Sequence, residues 1–323
     1  MRVREIKLLV CTILVVIAAV VNSSEGAPYP EKSITLVVPY APGGVSDTGA
    51  RAAAEAAKSY FPKAVVVENR PGASGTVGVD YVANAKPDGY TLLWGSNTEL
   101  ASTLHVAKTP YTMESYDVVL YVGAVSNLVV VRTDSPFKTW KELFDYAKAN
   151  PGKLKAGNPG EGSGLFLTCQ LAERATGAKF TSVPFQGSGP VIPAVLGGHL
   201  DVGFLNVVET MPHKASGQMR VLLAFADQRP KVMPDIATAR EVGINVVGGS
   251  SHAVVAPKGL NSEVRNSIEA GFRKALADRK FLDVLEKIGY DVQVKSGQEG
   301  FQIFKDWYKA SGEIYEQLGI KPK

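Results

Sequence analysis

Residues 39–47 read Pro39-Tyr40-Ala41-Pro42-Gly43-Gly44-Val45-Ser46-Asp47. This glycine loop follows a β-branched apolar run, Ile34-Thr35-Leu36-Val37-Val38, and precedes an alanine-rich helical stretch from Thr48 to Tyr60. A strand that runs through a glycine loop into a helix presents the helix N-terminus. The first N–H groups there lack internal partners and carry the positive end of the helix dipole. Paired glycines let an anion approach that backbone closely. The chemistry on offer at Tyr40, Pro42, Gly43, Gly44, Ser46 and Asp47 is therefore anion capture by main-chain dipoles. Ser46 and Asp47 are each expected as N-caps of the helix, worth about 1 kcal/mol.

Four more loops share this character. They are 70–75, with Ala73 and Ser74; 95–98, with Ser96 and Asn97; 157–164, with Asn158, Gly160, Gly162 and Ser163; and 186–190, with Gln186 and Gly187. Each is expected at the carboxyl end of a strand, as is Asn206 after the strand Asp201–Leu205. Ligands of open α/β sheets bind at that edge. One glycine loop alone reads as a tight turn; five on one edge read as a binding cleft.

Competing chemistries are poorly supplied. Gly44-x4-Gly49 has P-loop spacing, but Ala50-Arg51 stands where Lys-Ser/Thr is required, so a nucleotide phosphate is not expected. Gly160-x-Gly162-x-Gly164 is not a dinucleotide fingerprint. Gly162-Ser163-Gly164 lacks the nucleophile-elbow pattern. Cys169 falls inside an apolar helix and reads as a packed thiol. The four histidines, 105, 199, 213 and 252, make no metal-binding spacing. His213 reads as a surface residue. His252, beside Ser250 and Ser251, reads as a hinge histidine or as a hydrogen-bond donor in the cleft. No nucleophile–base pair is visible, so no catalytic residue, metal or cofactor is expected, and the chain is not expected to be an enzyme.

The elements that must carry these loops alternate, strand then helix, almost throughout. This argues an α/β fold with a mostly parallel sheet flanked by helices. Further strands are expected at Val65–Glu68, Tyr90–Trp94, Thr181–Pro184, Val221–Ala226 and near Val292–Val294. Trp140–Ala149 carries apolar residues at 140, 143, 144 and 147, one helix face. Two apolar runs, Asp117–Val125 and Leu128–Val131, with Ser126-Asn127 between them, read as a crossing between domains. Val246–Gly249 followed by Ala253–Ala256 reads as the return. Domain I is thus expected to be discontinuous, over 28–124 and 252–323, with domain II at 125–251 and the two crossover strands as hinge.

Arg2, Arg4 and Lys7 precede an apolar core of 14 residues, Leu8 to Val21, and then Asn22-Ser23-Ser24. The core is short for a membrane span, and the pattern fits a secretory signal peptide over residues 1–23, cleaved near residue 23. Its removal takes three positive charges and one negative from a net charge of +4, leaving +2, with no basic stripe for nucleic acid. One cysteine would remain, so the exported chain cannot form an internal disulfide. The expected location is the periplasm.

Several segments together resemble the solute-binding proteins of tripartite tricarboxylate transporters, the TctC or Bug family. They include Tyr29–Ile34, Pro39–Asp47, Val67-Glu68-Asn69-Arg70-Pro71-Gly72-Ala73-Ser74-Gly75, Lys86–Leu93, Pro151–Leu154, Val183–Phe185, Gly197–Asp201 and Ala256-Pro257. The resemblance implies a two-lobed, type II periplasmic-binding-protein fold. It also implies a monomer that closes on a small mono- or dicarboxylate held largely by main-chain groups, and a membrane permease, or a sensor ectodomain, as partner. By position it points to Tyr40–Asp47, Ala73-Ser74, Ser96-Asn97, Asn158–Ser163, Gln186-Gly187 and Asn206. Family members usually carry aromatic residues where Ser251 and His252 stand, and many an acid at Leu205. The resemblance thus implies a more polar wall at the return crossing and a less acidic wall at Leu205.

Overall fold

The structure is a computed structural model that describes residues 29–160, 162–185 and 188–321. The expected signal peptide lies outside these residues. In chain order the strands are β1 (Ile34–Val38), β2 (Val65–Asn69), β3 (Thr91–Ser96), β4 (Tyr116–Arg132), β5 (Lys155–Asn158), β6 (Thr181–Pro184), β7 (Val202–Asn206), β8 (Met219–Phe225), β9 (Gly249–Pro257) and β10 (Tyr290–Ser296). The helices are α1 (Val45–Ala57), α2 (Thr76–Ala83), α3 (Asn97–Leu100), α4 (Trp140–Ala149), α5 (Gly164–Thr176), α6 (Val191–Leu196), α7 (Val207–Ala215), α8 (Ser262–Ala277), α9 (Arg279–Lys287) and α10 (Gly297–Gln317).

The strand order is β2-β1-β3-β9-β4-β7-β5-β6, with β8 and β10 also pairing β4. The flanks are parallel, β2–β1–β3 on one side and β6–β5–β7 on the other. The middle is antiparallel, because β4 and β9 traverse it in opposite directions. β1 is apolar on both faces, since helices cover the parallel part of the sheet, and Ile34, Leu36, Val37 and Val38 have no exposed surface. α1 lies close on this sheet because its inner face is Gly49, Ala50, Ala53 and Ala57. A Cβ at Gly49 would come to 3.0 Å from the buried Trp94 ring. On the other flank Phe144, Phe180, Phe204 and Phe225 fill one core, with edge-on and stacked rings at 5.9–6.2 Å.

The two apolar runs separated by Ser126-Asn127 form one continuous strand. Tyr116 to Ser126 pairs with β9, and its neighbour there is β10. From Asn127 onward the partners become β7 and β8. The sequence break marks a change of partners rather than a gap in the strand. The alternation of a strand then puts Asn127 and Ser250 on one side of the crossing and Ser126, Gly249 and Ser251 on the other. Gly123, next to the crossing, has φ +147°, and a Cβ there would meet the Asp291 carbonyl oxygen at 2.1 Å, so only glycine lets β10 pair there. Among the described residues no helix is long and apolar enough to cross a membrane.

Candidate binding site

A cavity of about 490 Å³ opens where the loops converge. Tyr40, Gly44, Ser46, Ser96, Ser163 and Asn206 line it, as the sequence reading expects. The N-termini of α1, α3, α5 and α7 all reach its wall through residues 44–46, 96–98, 163–165 and 206–209. Among the described residues no lysine or arginine does. The walls offer backbone N–H groups, hydroxyls and amides instead, a composition suited to an anion held by dipoles.

The helix starts are not equivalent. α1 begins two or three residues earlier than expected, at Val45, with Gly44 as N-cap in extended backbone (φ −81°, ψ 178°). Neither Ser46 nor Asp47 is the cap, because both already lie in helical backbone. Gly44 supplies no side-chain cap, so the first turn of α1 is open toward the cavity. At α5 the Ser163 hydroxyl accepts from Phe166 N–H at 3.1 Å and donates to the Gly160 carbonyl at 2.7 Å. At α7 the donors are partly consumed: Glu209 accepts from Asn206 N–H at 3.1 Å and from Asn206 Nδ2 at 3.4 Å. A ligand carboxylate is therefore directed first to α1, the one of these three starts without a side-chain cap. Burial pushes the Glu209 carboxyl up, against the lowering pull of its hydrogen bonds.

Several expected ligand residues instead hold the loops. Asp47 is 4% exposed. Its carboxylate accepts from Gly43 N–H at 2.9 Å, Arg51 Nε at 2.9 Å and Asn69 Nδ2 at 2.8 Å. Asn69 also donates to the Tyr40 carbonyl at 3.0 Å, so one carboxylate ties both ends of the 40–43 turn to α1 and β2. Burial alone would raise the Asp47 carboxyl, but these donors outweigh it and hold it below its ordinary value. Asp47→Asn should cost about 1–2 kcal/mol in urea unfolding, since it weakens buried bonds rather than a surface ion pair. It should also loosen the loop enough to weaken ligand binding several-fold in calorimetry. Pro42 and Gly43 are exposed parts of that turn, and Gly43, at φ +92°, makes its corner.

Asn158 is buried and braced, donating to Ser182 Oγ at 2.8 Å and accepting from Gly160 N–H at 3.0 Å. Gly160, at φ +109°, turns the chain into α5, and Gly162 stands over Val106 beside the cavity. Ala73 and Ser74 are exposed in a turn with φ of 44° and 55° and do not line the cavity. Asn97 faces away from it. It clamps β9 by donating to the Gly249 carbonyl at 3.0 Å and accepting from Ser251 N–H at 3.1 Å. It lines, with Ser251, a smaller cavity of about 160 Å³ on the reverse side of the crossing. Ser251 thus adds no polarity to the ligand wall. Leu205 is fully buried opposite Leu128 and forms no wall at all. The acid on that side is Glu209. Gln186 and Gly187 lie outside the described residues.

His252 is the largest correction. It has no exposed surface and does not line the cavity. It sits one layer behind, with Nε2 at 2.9 Å from Ser46 Oγ and Nδ1 at 3.1 Å from Tyr290 Oη. The fold thus assembles a serine–histidine contact that residue spacing did not reveal. Burial pushes the imidazole down to about 4, with a smaller opposing pull from the Ser250 carbonyl. So weak a base is poorly matched to proton abstraction near neutrality. Cys169 is buried and its thiol is pushed well up by burial, as a packed residue should be. Among the described residues no group of three or more His, Cys, Asp or Glu could hold a metal.

Glu99 was missed. It is fully buried, and its carboxylate accepts from Tyr40 Oη at 2.7 Å and from both the N–H and the hydroxyl of Ser96. Burial raises it, against these bonds. Tyr40 therefore spends its hydroxyl inward and offers the cavity its ring. The spacings Ser96-x-x-Glu99 and Asn206-x-x-Glu209 are both capping-box patterns and could have flagged the two acids.

Against known proteins, residues 49–320 match the model of the tripartite tricarboxylate transporter family receptor, TctC. The chain is 32% identical over 314 residues to the UPF0065 protein in the gbd 5′ region of Cupriavidus necator, covering 94% of this chain and 93% of that one. Two solved structures are similar. Rpa4515 of R. palustris with adipate has TM-score 0.78 and 26% identity, covering 91% of this chain and 100% of that one. MatC from Rhodopseudomonas palustris with bound malate has TM-score 0.73 and 27% identity, covering 88% and 99%. The chain belongs to the TctC family of solute-binding proteins, and it is a binding protein rather than an enzyme.

Proposed function

We propose that this chain is a periplasmic solute-binding protein that captures a small organic mono- or dicarboxylate and delivers it to the permease of a tripartite tricarboxylate-type transporter. The observation that carries the reading is the uncapped N-terminus of α1 facing the Ser163-capped N-terminus of α5 across one cavity, with no lysine or arginine among the described residues of its wall. Each terminus contributes ~0.3–1 kcal/mol when exposed and up to about 2 when partly buried. With the hydroxyl and amide contacts they supply much of the roughly 8 kcal/mol of micromolar affinity. The adipate and malate in the two similar structures support the ligand class.

Residues 28–124 with 252–323 form one lobe of this machine and 125–251 the other. α1 belongs to the first and α5 to the second. β4 and β9 are the only strands bridging the two groups among the described residues, so their crossing at Ser126-Asn127 and Gly249-Ser250 is the hinge. A ligand that touches both N-termini favours closure by its differential affinity for the closed state. In a thermal-shift screen of the mature chain, small mono- and dicarboxylates at about 100 times their Kd should raise Tm by about 5 °C. Neutral sugars should leave it unchanged. Stabilisation by uncharged solutes alone would sink the reading.

A further inference from the structure

One arrangement of protons satisfies all three contacts behind Ser46 together. The Gly123 carbonyl can only accept, so Tyr290 donates its hydroxyl proton there, at 3.1 Å. The Tyr290 oxygen then faces His252 Nδ1, at 3.1 Å, as an acceptor, and Nδ1 carries the hydrogen. A neutral imidazole has one N–H, so Nε2 is bare. It takes the proton of Ser46 Oγ at 2.9 Å. Burial keeps the ring neutral at ordinary pH. Ser46 lines the cavity with its proton spent inward and only lone pairs facing out. Among the described residues the one charged group on the cavity wall, Glu209, is a second acceptor, already served by Asn206.

We propose that the Tyr290–His252 relay makes Ser46 a hydrogen-bond acceptor toward the cavity, so that the site selects hydroxylated carboxylates over their unsubstituted counterparts. The proposal rests on the carboxylate reading above. The ligand's carboxylate goes to the open first turn of α1, whose N–H groups are donors. Its hydroxyl donates to Ser46 Oγ in that same turn. An unsubstituted acid leaves this acceptor unmet in a partly closed cavity, which lowers affinity roughly tenfold or more. His252 is a positioning residue: it touches Ser46, not the ligand.

The test is calorimetry on the mature full-length chain with matched dicarboxylates of four to six carbons, with and without a 2-hydroxyl; malate against succinate is the shortest pair. The hydroxylated member should bind about tenfold or more tightly. In His252→Phe the Ser46 proton is released to turn outward, and the preference should shrink to within about threefold. His252→Gln should retain it, because an amide oxygen can take the Ser46 proton while its NH₂ faces Tyr290; a merely space-filling role would not be rescued this way. Ser46→Ala, which disturbs the core least, should bring the hydroxylated acid down to the unsubstituted one. Equal affinities in the wild-type chain, an unchanged preference in His252→Phe, or binding of 2-amino acids but not 2-hydroxy acids would each overturn the proposal while leaving the carboxylate reading in place. Failure of every carboxylate to bind would overturn both.

Discussion

Gly44→Val is expected to abolish ligand binding and leave the fold standing. Gly44 is the N-cap of α1, at φ −81° and ψ 178°, extended backbone that valine adopts readily. A Cβ built there meets nothing within 4 Å. The empty space is the cavity itself, and the valine methyls would stand before the open N–H groups of the first helical turn. The helix loses only the preference for glycine over an aliphatic residue at the cap, about 1 kcal/mol or less. Tm should therefore fall by no more than a few degrees. Affinity for the best carboxylate should fall by about 100-fold or more, or about 2.7 kcal/mol. Calorimetry with a parallel thermal melt separates the two effects. Unchanged affinity in a folded variant would remove α1 from the site.

The buried imidazole gives the second large effect. Unfolded, His252 binds its proton at an ordinary value of 6.5; folded, burial holds that proton off until about 4. Between those values the unfolded state carries more protons, so stability falls as pH falls from about 6.5 to about 4. At about 1.4 kcal/mol per pH unit the loss approaches 3 kcal/mol. Buried Glu99, Glu173 and Glu209 act in the opposite direction, since burial raises all three and their protonation favours the folded state as pH drops. The wild-type curve alone therefore mixes opposing signs. The difference between wild type and His252→Gln in urea unfolding, measured at several pH values, isolates the histidine. Wild type should lose about 3 kcal/mol relative to the variant between pH 6.5 and 4. A flat difference would mean the folded protein already admits the proton.

Local reading reached far into this site. The strand–glycine–helix order at 34–57 placed an open N-terminus correctly, because glycine conformation and apolar patterning are near-neighbour properties. It was less successful with residues whose type suits a ligand but whose neighbours claim them first. Asp47 and Asn158 look like cleft residues, yet Gly43, Arg51, Asn69, Ser182 and Gly160 consume their bonding capacity. Ser126-Asn127 read as a crossing between two apolar runs, and the two runs are one continuous strand that changes partners there. Pairing across a sheet follows tertiary topology, which no local window contains.

The sequence by itself determined the class of chemistry: dipoles, hydroxyls and amides in place of charged side chains, on loops that follow strands. That is a matter of residue type and adjacency. Only the tertiary structure decided which of these groups face the ligand. Ser46 and His252 are 206 positions apart and share a hydrogen bond. Ser250 and Ser251 are adjacent and face different cavities. Strand alternation sends neighbours to opposite faces, and long-range pairing brings distant residues together, so the facing set and the direction of each proton exist only once the chain has folded.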